Sequence, residues 1–206
     1  MDQSMKLVSV FGVAIAALGV AGYSGYRAVV RASGASSPAT IVRVADDRAA
    51  LIERGRYLLA AAGCTDCHTP HDQKGEPIGG MFLAGHPQDA PLPEWDPSLL
   101  SRHAVATIAP TMTAFAGPFG VSVAPNLTPD LETGIGTMTA DDLIKSWRTG
   151  THWKESRAIL PPMPAPAFAT LRDEDIRAIH ACLMALPPIK NKAPASRPAG
   201  STAPGA

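Results

Sequence analysis

The chain has 206 residues, and its 18 basic and 18 acidic side chains give a formal charge of +0, so no basic face argues for nucleic acid. That length leaves room for one domain of ordinary size plus tails. Its 20 prolines and 18 glycines predict long irregular loops between a few regular elements.

Residues 1–6 form a short tail. From Leu7 to Tyr26 no side chain is charged, and a helix of that length reaches about 30 Å, the thickness of a bilayer's hydrocarbon core. Tyr23 and Tyr26 stand at its far end, where amphipathic rings favour the membrane interface. The competing reading is a cleaved secretory signal with a shorter apolar heart, Val8 to Val20. Lys6 is a weak basic start and no clean A-x-A site follows the run, which favours a retained transmembrane anchor over residues 7–26. Residues 27–45 read as a linker, and Ala32 to Thr40 is rich in small residues suited to a flexible tether.

The folded domain is expected over residues 46–188. Leu51, Ile52, Leu58 and Leu59 make an apolar helical stripe, and Gly55 would permit close approach by another helix. Asp46 and Asp47 suit the start of that helix, where the dipole favours negative charge, and Gly63 is placed to end it. Immediately beyond lies Cys64-Thr65-Asp66-Cys67-His68, a C-x-x-C-H. This is the signature of covalent c-type haem attachment. Cys64 and Cys67 can each form a thioether to a haem vinyl group, and His68 then supplies the proximal axial bond to iron. A thioredoxin-like redox pair would want a strand-helix-strand context, which is lacking here. A zinc site would want a second ligand pair, and the remaining cysteine, Cys182, is alone.

The stretch from Thr69 to Val123 shows little periodicity and reads as loops with short helices, Leu99 to Ile108 being one candidate. Thr139 to Gly150 is a clearer helix. Thr139 and Asp142 pair as a capping box, Leu143, Ile144 and Trp147 form an apolar face, and Gly150 terminates it. A last helix is expected from about Arg172 to Leu186, with Asp173, Glu174 and Asp175 in its first turn and Pro187-Pro188 as its stop. Residues 189–206, rich in Pro, Ala, Ser and Gly, are expected to be a disordered tail.

A haem that carries electrons without ligand exchange wants a sixth ligand, and a methionine thioether raises the potential. Seven methionines are present. Met1 and Met5 precede the apolar run, and Met184 falls in the last helix, where core packing is the default. Met81, Met112 and Met138 remain open. Met163 sits in Leu160-Pro161-Pro162-Met163-Pro164, whose prolines fix the backbone and offer no competing donors. His71, His86, His103, His152 and His180 read as polar loop or surface residues, His152 being the nearest to a rival ligand. Asn126 and Thr128 suit either turn hydrogen bonds or contact with haem propionates. Trp147 and Trp153 suit pocket walls or core, Tyr57 the contact between first and last helices, and Cys182 the core.

Several motifs recur in a fixed order: Gly55-Arg56-Tyr57-Leu58, the C-x-x-C-H, Asn126-Leu127-Thr128-Pro129-Asp130 continuing to Thr133-Gly134-Ile135-Gly136, Arg148-Thr149-Gly150, Pro161-Pro162-Met163-Pro164 and Leu186-Pro187-Pro188. In this the chain resembles the cytochrome c domains of bacterial membrane-bound alcohol, aldehyde and related dehydrogenases. The resemblance implies an all-α, class I cytochrome c fold with long Pro/Gly-rich loops, one covalently attached haem c, and Met163 as distal iron ligand opposite His68. It implies an electron carrier, not an enzyme, passing single electrons from a dehydrogenase or quinol-oxidising complex to a downstream cytochrome or oxidase. Alternatives are a fixed electron-transfer subunit of a membrane-bound dehydrogenase complex, or a haem enzyme with an open sixth position. Arg27 and Arg31 against Lys6 would by the positive-inside rule keep the domain in the cytoplasm. Haem attachment in bacteria is completed on the outer side, and long domains are exported largely regardless of flanking charge. The expectation is a single-pass protein of the bacterial inner membrane with its haem domain on the periplasmic side.

Overall fold

The computed structural model of the chain describes residues 48–96, 98 and 106–201. The expected tail, membrane span and linker of residues 1–45, His103 and residues 99–105 of the candidate helix lie outside them. No helix among the described residues is long and apolar enough to cross a membrane.

Helix α1 (Arg48–Ala61) leads through the left-handed residue Gly63 into the single-turn helix α2 (Cys64–His68). Helix α3 spans Ala140–Thr149, the short α4 Ala165–Phe168, and α5 Asp173–Leu183. The ends of α3 are where local chemistry puts them. Thr139 Oγ1 accepts from the amide of Asp142, the Asp142 carboxylate accepts from the Thr139 amide, and Gly150 caps the carboxyl end in the left-handed region. Three acidic residues occupy the first turn of α5, where the helix dipole favours them.

Leu59 of α1, Leu143 and Trp147 of α3 and Ile176, Ile179, Cys182 and Leu183 of α5 share one core with Leu83, Ile135, Met138 and Phe168. The crossing of α1 and α5 is unusually close because Gly55 has no side chain. A Cβ there would stand 2.0 Å from the carbonyl oxygen of Ala178 and 2.7 Å from Cys182 Cβ. Cys182 is therefore a buried packing residue, as expected. Tyr57 is not at this contact. It is 71 % exposed, because the helical turn that brings Gly55 and Leu59 against α5 leaves the position between them facing outward.

Four short strands stand outside the helical expectation. These are β1 (Thr107–Ile108), β2 (Ala114–Gly117), β3 (Gly120–Val123) and β4 (Arg197–Pro198), antiparallel throughout and in sequential order. Residues 107 and 108 of the candidate helix are thus strand. Gly117 pairs with Gly120 across the turn Pro118-Phe119. Gly120 has φ +100, and a Cβ on it would meet the Arg197 carbonyl oxygen at 2.1 Å, so glycine is needed for both the turn and the approach of β4. Ala109, Ala114 and Val123 form a second, smaller core beneath the sheet.

The expectation of a disordered tail from residue 189 is corrected over 189–201. Asn191 is buried, donating from Nδ2 to the carbonyls of Ala84 (2.7 Å) and His86 (2.9 Å) and accepting from the Gln88 amide (3.0 Å). Ser196 Oγ accepts from the Val123 amide, and β4 pairs with β3. Composition argued for disorder because Pro, Ala and Ser bury little surface. The segment is held instead by hydrogen bonds to backbone groups more than 60 residues away.

Candidate functional site

One cavity of about 450 Å³ lies among the three main helices, within the usual size range of ligand sites. Cys64, Cys67 and His68 line it from α2, and Met163 lines it from the loop before α4. All four residues singled out in the sequence therefore face one space, although 95 positions separate His68 from Met163.

Each is positioned by neighbouring structure. His68 is buried, and its Nδ1 donates to the Pro125 carbonyl oxygen at 3.0 Å. A carbonyl can only accept, so Nδ1 carries the proton and Nε2 keeps its lone pair. Burial also pushes the His68 pKa down, against a smaller opposing effect of that hydrogen bond, so the ring is neutral and ready to ligate. Burial drives the Cys64 thiol up to about 11 and raises Cys67 as well, with Asp66 adding to the latter. The pair is thus held as thiols, unlike the lowered-pKa thiolate of a disulfide oxidoreductase.

Met163 is held in a turn in which its amide donates to Leu160 O and its own carbonyl accepts from Ala165 N. The segment that follows is fixed by Arg148, which donates to the carbonyls of Ala169 (2.7 Å) and Leu171 (2.6 Å) and to the Asp173 carboxylate (2.6 Å). The arginine of the R-x-G motif is therefore a brace between α3 and the chain carrying Met163, a role its position in the sequence does not reveal. Trp147 and Phe168 stack at 4.8 Å and wall the cavity, and Trp153 lines it from the loop after α3.

Of the competing methionines, Met81 and Met112 do not line this space, whereas Met138 does. Asn126 lines it as well but is committed elsewhere. Its Oδ1 accepts from Thr128 N and Oγ1, and its Nδ2 donates to Ile189 O at 2.7 Å. The turn reading of Asn126 and Thr128 is the one the geometry supports. His86 is fully buried between Thr113 and the Ala90 carbonyl, and His180 donates to Met138 O at 2.9 Å. Neither they nor His71 reach the cavity, but His152 does. Among the described residues no cluster of three or more His, Cys, Asp or Glu could hold a metal ion by itself.

The contents of the cavity wall fit an iron porphyrin. Two thiols and a lone-pair imidazole stand on one side, a thioether is available from another element, and aromatic and aliphatic groups supply the remaining wall.

No family model matches the chain. It is 32 % identical over 148 residues to the cytochrome c subunit of the alcohol dehydrogenase (quinone) of Gluconobacter oxydans, covering 70 % of this chain and 24 % of that one. It is 34 % identical over 143 residues to the gluconate 2-dehydrogenase cytochrome c subunit of Pantoea cypripedii, covering 68 % and 25 %. The chain resembles the cytochrome c domains of dehydrogenase cytochrome subunits. A third relative, one of the subunits of the nicotinate dehydrogenase of Pseudomonas putida, is 29 % identical over 192 residues, 93 % of this chain but 13 % of its own length. This cytochrome c-like chain spans a quarter or less of the length of these three relatives, so the likeness concerns a domain, not their whole activity.

Proposed function

We propose that the protein is a single-haem c-type cytochrome that transfers single electrons, with an all-α class I cytochrome c core and the short sheet as an added flap. The observation that carries this reading is the meeting of Cys64, Cys67, His68 and Met163 on one cavity. Cys64 and Cys67 would hold a haem c by thioethers, with His68 Nε2 and the Met163 sulfur as axial ligands. When bound, the haem supplies a one-electron couple whose potential the axial thioether raises. The chain's own contribution is orientation and exclusion of water. Pro125 fixes the His68 tautomer and ring plane, Arg148 braces the Met163 side, and Trp147, Phe168, Ile179 and Leu183 keep the cavity apolar.

The apolar run of residues 7–26 serves as a single-pass anchor, with the domain on the periplasmic side of a bacterial inner membrane. Tethering raises its effective concentration near a membrane partner. The donor is a dehydrogenase or a quinol-oxidising complex, the acceptor another cytochrome or an oxidase. The relatives' names favour a second reading, a fixed electron-transfer subunit within a dehydrogenase complex. Co-purification of stoichiometric catalytic subunit from solubilised membranes distinguishes the fixed subunit from the free carrier.

The deciding experiment is expression with a full haem-maturation apparatus, followed by acid-acetone extraction and pyridine haemochrome spectroscopy. One haem should stay with the polypeptide, and the ferric protein should show a methionine-to-iron charge-transfer band that Met163→Ala abolishes. Pigment lost on extraction removes the attachment. A band that survives Met163→Ala reassigns the distal ligand.

A further inference from the structure

Residues 189–196 form a strap that is pinned at both ends and lines the cavity between them. At its start the Ile189 amide donates to Thr128 Oγ1 (3.0 Å) and the Asn191 amide to Thr133 Oγ1 (3.1 Å). The buried Asn191 side chain adds its bonds to Ala84, His86 and Gln88. At its end Ser196 Oγ accepts from the Val123 amide (2.9 Å), and β4 follows. Every residue from Lys192 to Ser196 lines the cavity. The last motif shared with cytochrome c domains is Leu186-Pro187-Pro188, so the resemblance assigns the strap no role.

The charged side chains of the cavity wall are Glu132, Lys154, Glu155, Arg157 and Lys192. Both carboxylates are already spent, Glu132 on Lys190 (2.8 Å) and Glu155 on Arg157. Lys154 Nζ rests over the Trp153 ring, 4.4 Å from its centroid. Lys192 is the wall cation whose side chain has neither a carboxylate nor a ring as partner among the described residues. That side chain is exposed at the cavity rim, but it springs from a backbone that Asn191 and Ser196 hold in place. An unmatched ammonium fixed at the edge of an apolar cavity suits an anionic group at the edge of the ligand, since a charge-assisted hydrogen bond is among the stronger polar contacts.

A haem brings two propionate carboxylates to such an edge. We propose that Lys192 binds a haem propionate and that the strap positions it there, which makes residues 189–196 part of the haem site. The proposal rests on the haem reading above. An ammonium is a compact charge with three donors, so it can meet a carboxylate without the fixed fork geometry of arginine. Its positive charge favours the ferrous state, which carries one more negative charge than the ferric, and so raises the potential. Ala193, Pro194 and Ala195 keep water from the same side of the cavity.

The test is spectroelectrochemistry of the full-length, haem-loaded protein at neutral pH, on the wild type, Lys192→Gln, Lys192→Arg, Asn191→Ala and the double variant Asn191→Ala/Lys192→Gln. Lys74→Gln serves as control, because Lys74 sits in the turn at Asp72 and does not line the cavity. At a fixed electrode potential Lys192→Gln should lower the ferrous-to-ferric ratio roughly three- to tenfold, the size expected for one partly screened charge near the iron. Lys192→Arg should stay near the wild type and Lys74→Gln should match it. Asn191→Ala should lower the ratio as Lys192→Gln does, with little further change in the double variant, because a released strap no longer places the lysine. An unchanged ratio in Lys192→Gln overturns the inference, as does an effect of Lys192→Gln that is undiminished in the Asn191→Ala background. Both results leave the haem reading in place, whereas absence of covalent haem in the wild type overturns that reading itself. Should the variants fail to mature, competitive acetylation of the haem-loaded wild type is read by mass spectrometry. Slower modification of Lys192 than of Lys74 supports the proposal, and equal rates overturn it.

Discussion

Replacing Gly55 by alanine sets two well-understood effects against each other, and the structure decides which wins. In a helix interior alanine is favoured over glycine by about 1 kcal/mol. At Gly55, however, the new methyl group would lie 2.0 Å from the carbonyl oxygen and 2.6 Å from the carbonyl carbon of Ala178, both backbone atoms of α5. Relief requires the two helices to part by on the order of 1 Å, loosening the core contact among Leu59, Ile179, Cys182 and Leu183, of which Leu59, Ile179 and Leu183 also line the cavity. Overpacking of this kind costs about 1–3 kcal/mol and more against rigid backbone, so a net loss of about 2–3 kcal/mol is expected. For a domain of this size that lowers Tm by about 5–10 °C. Thermal unfolding of the haem-loaded protein, followed by far-UV circular dichroism, measures it. Gly79→Ala is the control, since a Cβ there meets nothing within 4 Å and should leave Tm within a degree or two. A Gly55→Ala protein as stable as the wild type, or more so, would refute the close crossing of α1 and α5.

Met163→Ala should lower the reduction potential markedly, whereas Met138→Ala, which removes a core side chain that also faces the cavity, should cost about 2–5 kcal/mol of stability and leave the charge-transfer band in place. Asn191→Ala should release the tail, because it removes two donated hydrogen bonds and one accepted one at a buried position. A loss of about 2–4 kcal/mol and new tryptic cleavage after Lys190 and Lys192 are expected, and an unchanged digestion pattern would show that the tail is held by something else. Acid should weaken the domain through Asp175. Burial alone would raise this carboxyl, but Arg54 and Arg172 more than offset that and hold it below the ordinary range. A depressed folded pKa means that its stabilisation is present above the unfolded value of about 3.9 and is lost as pH falls below it. Unfolding midpoints measured from neutral pH to pH 3 should drop less steeply in Asp175→Asn than in the wild type. Thr139→Ala should cost about 1 kcal/mol through loss of the capping box, read in denaturant unfolding.

Features legible in the chain are those whose physics is local. The attachment pentapeptide, the capping box of Thr139 with Asp142, the glycine stop at 150 and the acidic start of α5 each depend on residues a few positions apart. Gly55 can be suspected as a contact point because a glycine inside an apolar helical stripe has few other uses. The strands at 114–117 and 120–123 leave no such mark, because AFAG and GVSV are four residues each, too short to establish a period of two. Tyr57 departs from its expected place because an aromatic near a helix contact is usually buried, and only the rotation of α1 about its axis shows otherwise.

The order of residues thus dictated where a tetrapyrrole could be tethered and which imidazole would stand next to the tether, since covalent geometry within five positions leaves little freedom. It could not decide whether Asn126 is spent on the backbone, or reveal that residues 189–201 close over the domain through Asn191. Those outcomes depend on hydrogen bonds between segments 63 to 107 positions apart. Their free energy exists only once the helices have packed, so no pattern along the chain could announce them.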